Sequence, residues 1–206
     1  MSKNTPSKKA GKTLNQSLPF ILLVMGAIGL LASFALTHDK IKLLQDSAYE
    51  PVCNINPIFS CLSVMKTEQA SFLGVPNTLF GIAAFAALTT VGFVLAAGAT
   101  LKRWIWQTMQ VVATLGLLSM LYLFFQGVYR IGAICPWCFV VWMITIPTFW
   151  YITLYNLREG NIRLPGRLAG LNRFLQRNHG NILIMFYVII FAILLYRFWY
   201  YWSTLI

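Results

Sequence analysis

WIWQTMQVVATLGLLSMLYLFFQGVYRIGAICPWCF, residues 104–139, carries one charge, Arg130, in 36 positions. The 26 residues before that arginine contain no Asp, Glu, Lys or Arg. A helix needs only about 20 apolar residues to cross a hydrocarbon core of ~30 Å. The stretch therefore reads as a membrane span, and a second charge-free run, Ile131 to Leu157, starts where it ends. That second run opens on two cysteines three apart, Cys135 and Cys138, with Pro136 and Trp137 between them.

Working outward, charge-free runs also cover Leu18 to Leu36, the stretch between Glu68 and Lys102, and Asn178 to Tyr196. The whole chain is 58% hydrophobic and 10% charged, against roughly 25% charged in a soluble domain. The reading is an all-α integral membrane protein of one domain over 1–206. Helices are expected at about 18–36, 76–98, 104–129, 135–157 and 181–202, after a polar leader at 1–17. Connections at 37–75 and 158–177 stand out, the second broken by Pro165 and Gly166. Basic residues leading into an apolar run also fit a signal peptide, but the 19-residue run Leu18 to Leu36 exceeds the usual ~7–15 of a signal core. An uncleaved anchor is expected. Phe198-Trp199-Tyr200-Tyr201-Trp202 resembles an interfacial aromatic belt.

The net charge of +11 does not point to nucleic acid, because the charges are sorted by position. Eleven of the sixteen basic residues (Lys3, Lys8, Lys9, Lys12, Lys102, Arg103, Arg158, Arg163, Arg167, Arg173 and Arg177) fall on one side of a five-helix arrangement. The positive-inside rule makes that side cytoplasmic. The connection 37–75 is then exoplasmic, with four of the five acidic residues and two of the four cysteines, Cys53 and Cys61. Cys135 and Cys138 start a helix on the same face. An even set of cysteines in one disulfide-permitting compartment is expected to be oxidisable.

Two cysteines spaced CPWC at a helix start can close a small disulfide ring, and the helix dipole there favours thiolate. Thiolate is both the attacking and the leaving species in exchange. Cys53 and Cys61, eight apart on a loop, form a second pair able to move between a soluble thiol and the helix-bound pair. Within that loop, Pro57 should open a short helix that carries Cys61 to the membrane surface. Electrons would run from a reduced soluble protein to Cys53/Cys61, then Cys135/Cys138, then a two-electron acceptor in the bilayer, for which a quinone fits best. Two permanent structural disulfides in a non-catalytic membrane protein are the alternative. A zinc site fits less well, since structural sites use two short-spaced pairs, and no metal is expected. His38, His179, Lys66, Glu68 and Arg130 read as interfacial or solvated groups rather than site residues.

CNINPIFSCLSVM (53–65), FLGVPNTLFGI (72–82) and AICPWC (133–138), in that order, resemble the bacterial homologues of vitamin K epoxide reductase over about residues 18–157. The resemblance implies a four-helix transmembrane bundle around a quinone, ubiquinone or menaquinone, capped by the cysteine loop, with a fifth helix outside the shared core. It implies that Cys138 adjoins the quinone, that Cys135 exchanges with Cys61, and that Cys53 forms the mixed disulfide with a periplasmic thioredoxin-fold (DsbA-like) protein. It also implies that Asn77 hydrogen-bonds a quinone carbonyl. Met65, Phe80 and Phe139 are candidate pocket residues, with Trp142 where the animal enzymes carry a quinone-binding tyrosine; Phe59 and Trp137 are weaker candidates. Leu62 replaces the small residue common after the second loop cysteine, and Thr67 stands for a family serine or threonine. The chain ends at Ile206 with no fused thioredoxin-like domain, so a separate polypeptide partner is expected. DsbB performs analogous chemistry but has its CxxC in the first exoplasmic loop, the reverse of the order here. The expected activity is thus disulfide-forming thiol:quinone oxidation at a bacterial inner membrane, with reduction of quinone epoxides as the other family chemistry.

Overall fold

The computed structural model describes residues 7–56, 58–72, 74–162, 165 and 169–203, the side chains of 7–15 and of Phe72 excepted. Helices run α1 (Ser7–Gln45), α2 (Cys61–Met65), α3 (Asn77–Ala96), α4 (Arg103–Phe125), α5 (Pro136–Arg158), α6 (Ala169–Arg177), α7 (His179–Arg197) and α8 (Trp199–Trp202). Two-residue strands β1 (Ser71–Phe72) and β2 (Val75–Pro76) pair antiparallel before α3. Among the described residues five segments are long and apolar enough to cross a membrane: Gln16–Gln45, Asn77–Ala96, Arg103–Ile131, Pro136–Arg158 and His179–Arg197. The protein is an all-α, multi-pass membrane protein.

Helix ends differ from the sequence expectation where the chain lacks a breaker. Thr37–Gln45 opens the expected 37–75 connection, in which Ile41–Gln45 reads either as a continuation of the first helix or as a surface segment; it contains neither Gly nor Pro, and α1 continues through it. It stops at Asp46, whose carboxylate accepts from the Ala48 N–H at 2.9 Å and turns the chain. The extension lifts Asp39 and Lys40 level with the cysteine loop, where Lys40 Nζ donates to the Met65 carbonyl at 2.6 Å. Of the expected leader, Ser7–Ser17 is helical and 1–6 lies outside the described residues. Pro57 and Gly166 also lie outside them. The last expected helix is broken at Phe198, which is buried and joins α7 to α8.

α1 packs against α3 and α5, and α4 and α7 pack against α5. Close approach of α1 and α3 depends on small residues: a Cβ at Gly92 would strike the Leu23 backbone. α7 joins the central core, where Ile190, Leu194 and Phe198 are buried with Ile58, Phe124, Ile134 and Trp142. Its Tyr187 hydroxyl donates to the Met143 carbonyl of α5 at 2.6 Å.

The end of the bundle away from the cysteines is tied by an amide. Asn156 is fully buried; its Nδ2 donates to the Trp106 carbonyl and to Gln110 Oε1, both at 3.1 Å, and its Oδ1 accepts from Asn161 Nδ2 at 3.0 Å. Gln110 in turn donates to Thr153 Oγ1 at 2.9 Å, and Arg103 reaches the Asn161 carbonyl at 2.9 Å. One side chain thus satisfies polar groups on α4, α5 and the turn after it. Asn156→Ala is expected to cost about 1–3 kcal/mol by leaving buried partners unpaired. Thermal unfolding in detergent should show a lower Tm with the cysteine chemistry intact; an unchanged Tm would contradict the assignment.

Candidate functional site

The cysteine loop is held against the start of α5 by backbone pairing. Residues 58–60 lie parallel to residue 134: the Ile134 N–H donates to the Ile58 carbonyl at 2.7 Å, and the Ser60 N–H to the Ile134 carbonyl at 3.1 Å. Two local devices prepare this. Asn56 Oδ1 accepts from the Ile58 and Phe59 N–H groups at 3.0 and 2.7 Å, shaping the loop. On the other side α4 ends in a π-turn, Gln126–Ile131, and Gly132 takes the left-handed conformation (φ 73°) that reverses the chain toward Cys135. Ile58, 1% exposed, then anchors the loop in the central core.

This register sets the sulfurs. Cys53 and Cys61 are joined in a disulfide, with Cα atoms 5.7 Å apart, while Cys135 and Cys138 are free thiols. Cys61 starts α2, whose N-cap Ser60 accepts from the Ser63 N–H at 3.1 Å. Its Sγ lies 3.1 Å from Cys135 Sγ, within the ~3–3.5 Å of a near-attack arrangement. Cys61, Cys135 and Met65 are buried together with Cys53 and Leu36. Water is thus largely excluded from the sulfur that would be attacked.

Cys135 is the N-cap of α5, with Pro136 in the first turn, where its missing N–H costs nothing. The Cys138 N–H points back to Cys135 Sγ at 3.5 Å. The Cys138 thiol donating to Cys135 holds the Cys135 thiol below its ordinary value. Burial opposes this, the Cys138 and Trp137 backbone N–H groups reinforce it, and the Asp39 charge opposes it weakly. Cys135 is thus the better thiolate of the free pair chiefly through the Cys138 thiol, with the backbone N–H groups at the helix start in support.

The remaining expected residues divide. Cys138 packs against both the sulfur cluster and the central core, beside Phe139. Trp142 is buried in that core, edge-on to Phe124 at 5.0 Å and to Phe139 at 6.4 Å. Phe139 also meets Phe191 of α7 at 5.9 Å. Asn77 begins α3, and its Nδ2 donates to the Gln69 carbonyl at 2.7 Å. Phe80, 54% exposed on α3, belongs to neither cluster. Among the described residues no group of three His, Cys, Asp or Glu is placed to hold a metal ion.

Sequence reasoning passed over Asp39. It is buried on the extension of α1, with Oδ2 3.9 Å from Cys53 Sγ and Oδ1 accepting from the Tyr49 hydroxyl at 3.0 Å. The available signal was an acidic residue three beyond the apolar run, with no helix breaker separating them.

The family model for the vitamin K epoxide reductase family matches residues 20–153, more than half of the chain. No curated protein matches the chain at a significant level. The matched region contains all four cysteines and the first four membrane-length helices up to the last turn of α5.

The pH dependence of Cys135 follows from its surroundings. Its alkylation by iodoacetamide, read by mass at that residue, should titrate below an ordinary thiol. Cys138→Ala removes the thiol that donates to it and should move the midpoint up, while Cys138→Ser keeps a donor and should hold it down. A midpoint unmoved in Cys138→Ala would contradict this origin.

Proposed function

The chain belongs to the vitamin K epoxide reductase family, and from that premise we propose that it is a disulfide-forming thiol:quinone oxidoreductase. Membership makes it a membrane oxidoreductase of a family that uses quinone substrates. The finer reading is that electrons from a reduced thioredoxin-fold, DsbA-like protein pass through Cys53/Cys61 and Cys135/Cys138 to a membrane quinone. The observation that carries it is the 3.1 Å approach of Cys61 Sγ to Cys135 Sγ, which joins a loop disulfide to a helix-start dithiol. Two structural disulfides would have no use for that approach.

Each step is thiol–disulfide exchange. A partner thiolate attacks Cys53, and Cys61 leaves. The partner's second thiolate then attacks its own sulfur in the mixed disulfide and expels Cys53, so the partner departs oxidised. Cys61 attacks Cys135 of an oxidised CPWC pair, releasing Cys138. Cys53 then attacks Cys61, re-forming the loop disulfide and leaving Cys135 and Cys138 reduced, the redox state in which the four cysteines stand here. The quinone re-oxidises that dithiol, taking two electrons and two protons. Cys138, packed among Phe139 and the core around Trp142, is the thiol facing it, and the Asn77 amide, 2.7 Å from the Gln69 carbonyl, is held at the start of α3 as a polar group for the quinone oxygen.

Exposed apolar side chains flank the buried Cys53: Val52 is 94% exposed and Ile55 70%. They offer a docking surface for a soluble partner beside the sulfur it must reach. Lys3, Lys8, Lys9 and Lys12 ahead of the apolar part of α1, Lys102 and Arg103 at the α3–α4 connection, and the arginines between α5 and α7 support a cytoplasmic amino terminus. The cysteines then face the periplasm of a bacterial inner membrane.

The test is quinone reduction by the purified protein in detergent, followed spectroscopically after adding a reduced thioredoxin-fold protein. Turnover should occur in the wild type and vanish in Cys138→Ala. Folded wild-type protein that turns over none of several quinones and donors would move the assignment to structural disulfides.

A further inference from the structure

Asp39 is a carboxyl group buried beside a reacting sulfur, and none of the exchange steps above uses it. Its Oδ2 lies 3.9 Å from Cys53 Sγ. While Cys53 is in its disulfide that sulfur has no hydrogen, so the contact becomes an S–H···O hydrogen bond only after the bond opens. Every other group facing the carboxylate leaves Oδ2 for the sulfur. The Tyr49 hydroxyl, from the loop, donates to Oδ1 at 3.0 Å, and His38 Nδ1, on α1 itself, is 3.6 Å from the same Oδ1. Lys40 is committed to the Met65 carbonyl, and Lys42 sits over the Tyr49 ring, 5.4 Å from its centroid. From α5, Cys135 feels the Asp39 charge.

We propose that Asp39 handles the proton of Cys53, accepting it when Cys53 closes the loop disulfide and returning one when Cys53 is expelled by the partner. The inference rests on the proposed function, which makes Cys53 the sulfur that meets the partner. In the closing step the Cys53 thiol loses its proton to Asp39 Oδ2. The sulfur's electron pair forms the bond to Cys61, the Cys61–Cys135 bond breaks with its pair left on Cys135, and the proton passes to that thiolate or to water. In the opposite step the proton that the partner's second thiol loses as it attacks is taken up by Asp39 and delivered to the expelled Cys53 thiolate. Once the loop disulfide is open, a negative carboxylate beside Cys53 disfavours its thiolate, so Cys53 is a poor nucleophile until Asp39 takes its proton. Cys135, at a helix start with inward N–H groups, has the opposite environment. That asymmetry favours Cys53 in the thiol form and Cys135 in the thiolate form, so the closing exchange runs toward the loop disulfide.

Two readouts test this. In the Cys61→Ala/Cys135→Ala/Cys138→Ala protein, Cys53 is the remaining thiol, and its iodoacetamide alkylation is followed against pH. Adding Asp39→Asn should lower the midpoint by about one pH unit, since a like charge beside the thiolate is removed; Asp39→Glu should not lower it. With all four cysteines present, Asp39→Asn should slow oxidation of the reduced partner by about 10²-fold, the lower end of general acid–base contributions. Oxidation of the pre-reduced Cys135/Cys138 pair by quinone should keep its rate, which also reports an intact fold. Asp39→Ser is the second neutral variant should the amide prevent folding. An unchanged alkylation midpoint in the neutral variants overturns the inference whether or not the wild type oxidises a partner. A shifted midpoint together with no turnover by the wild type supports the Asp39–Cys53 coupling and contradicts the proposed function alone.

Discussion

Two backbone hydrogen bonds between residues 58–60 and Ile134 fix the whole redox arrangement. They set the register of a loop against the start of a helix. A slip of one residue would turn Cys61 away from Cys135, because side chains on paired extended backbone alternate in direction. Everything nearby serves that register. Asn56 shapes the loop, Gly132 reverses the chain after the π-turn, and Ile58 fills the core so that the loop cannot slide cheaply. Burying an aliphatic side chain of that size is worth about 1.5–3 kcal/mol, enough to bias the loop strongly toward this position.

The cysteine end and the opposite end solve different problems. Far from the sulfurs, Asn156 locks α4 to α5 with every hydrogen-bonding atom of its amide used, which suits a rigid scaffold in a medium without water. Near them the polar groups are sparse and specific. Lys40 holds α2 by a backbone carbonyl, and Tyr49 holds Asp39. The extension of α1 past its apolar run supplies both Lys40 and Asp39. α7 and α8 lie beyond the matched family region, yet they pack on the same core, and Trp202 meets Phe59 of the loop with ring centroids 6.3 Å apart.

The spans were legible because absence of charge over 19 or more residues has one physical meaning, and Arg103 and Arg130 bracket α4 plainly. The position of the CPWC pair at a helix start was legible because Pro136 marks a first turn without tertiary information. The end of α1 was legible only as one of two readings of Ile41–Gln45: polar residues from Thr37 onward suggested a connection, but polarity alone does not break a helix, and no Gly or Pro intervenes before Asp46. The place of Phe80 could not be read from FLGVPNTLFGI, since an aromatic residue on a membrane helix faces lipid or core according to packing. Asp39 stayed hidden because its partner Cys53 is 14 residues away, across a turn whose course depends on the Asp46 carboxylate.

The relay stands or falls on direct exchange between Cys61 and Cys135. The measurement is mild oxidation of the Cys53→Ala/Cys138→Ala protein in detergent, followed by non-reducing digestion and mass analysis. With only those two sulfurs left 3.1 Å apart, the expected product is a linked pair of peptides carrying Cys61 and Cys135 in most molecules. Recovery of both as free thiols, under an oxidant that forms Cys53–Cys61 fully in the wild type, would contradict the relay.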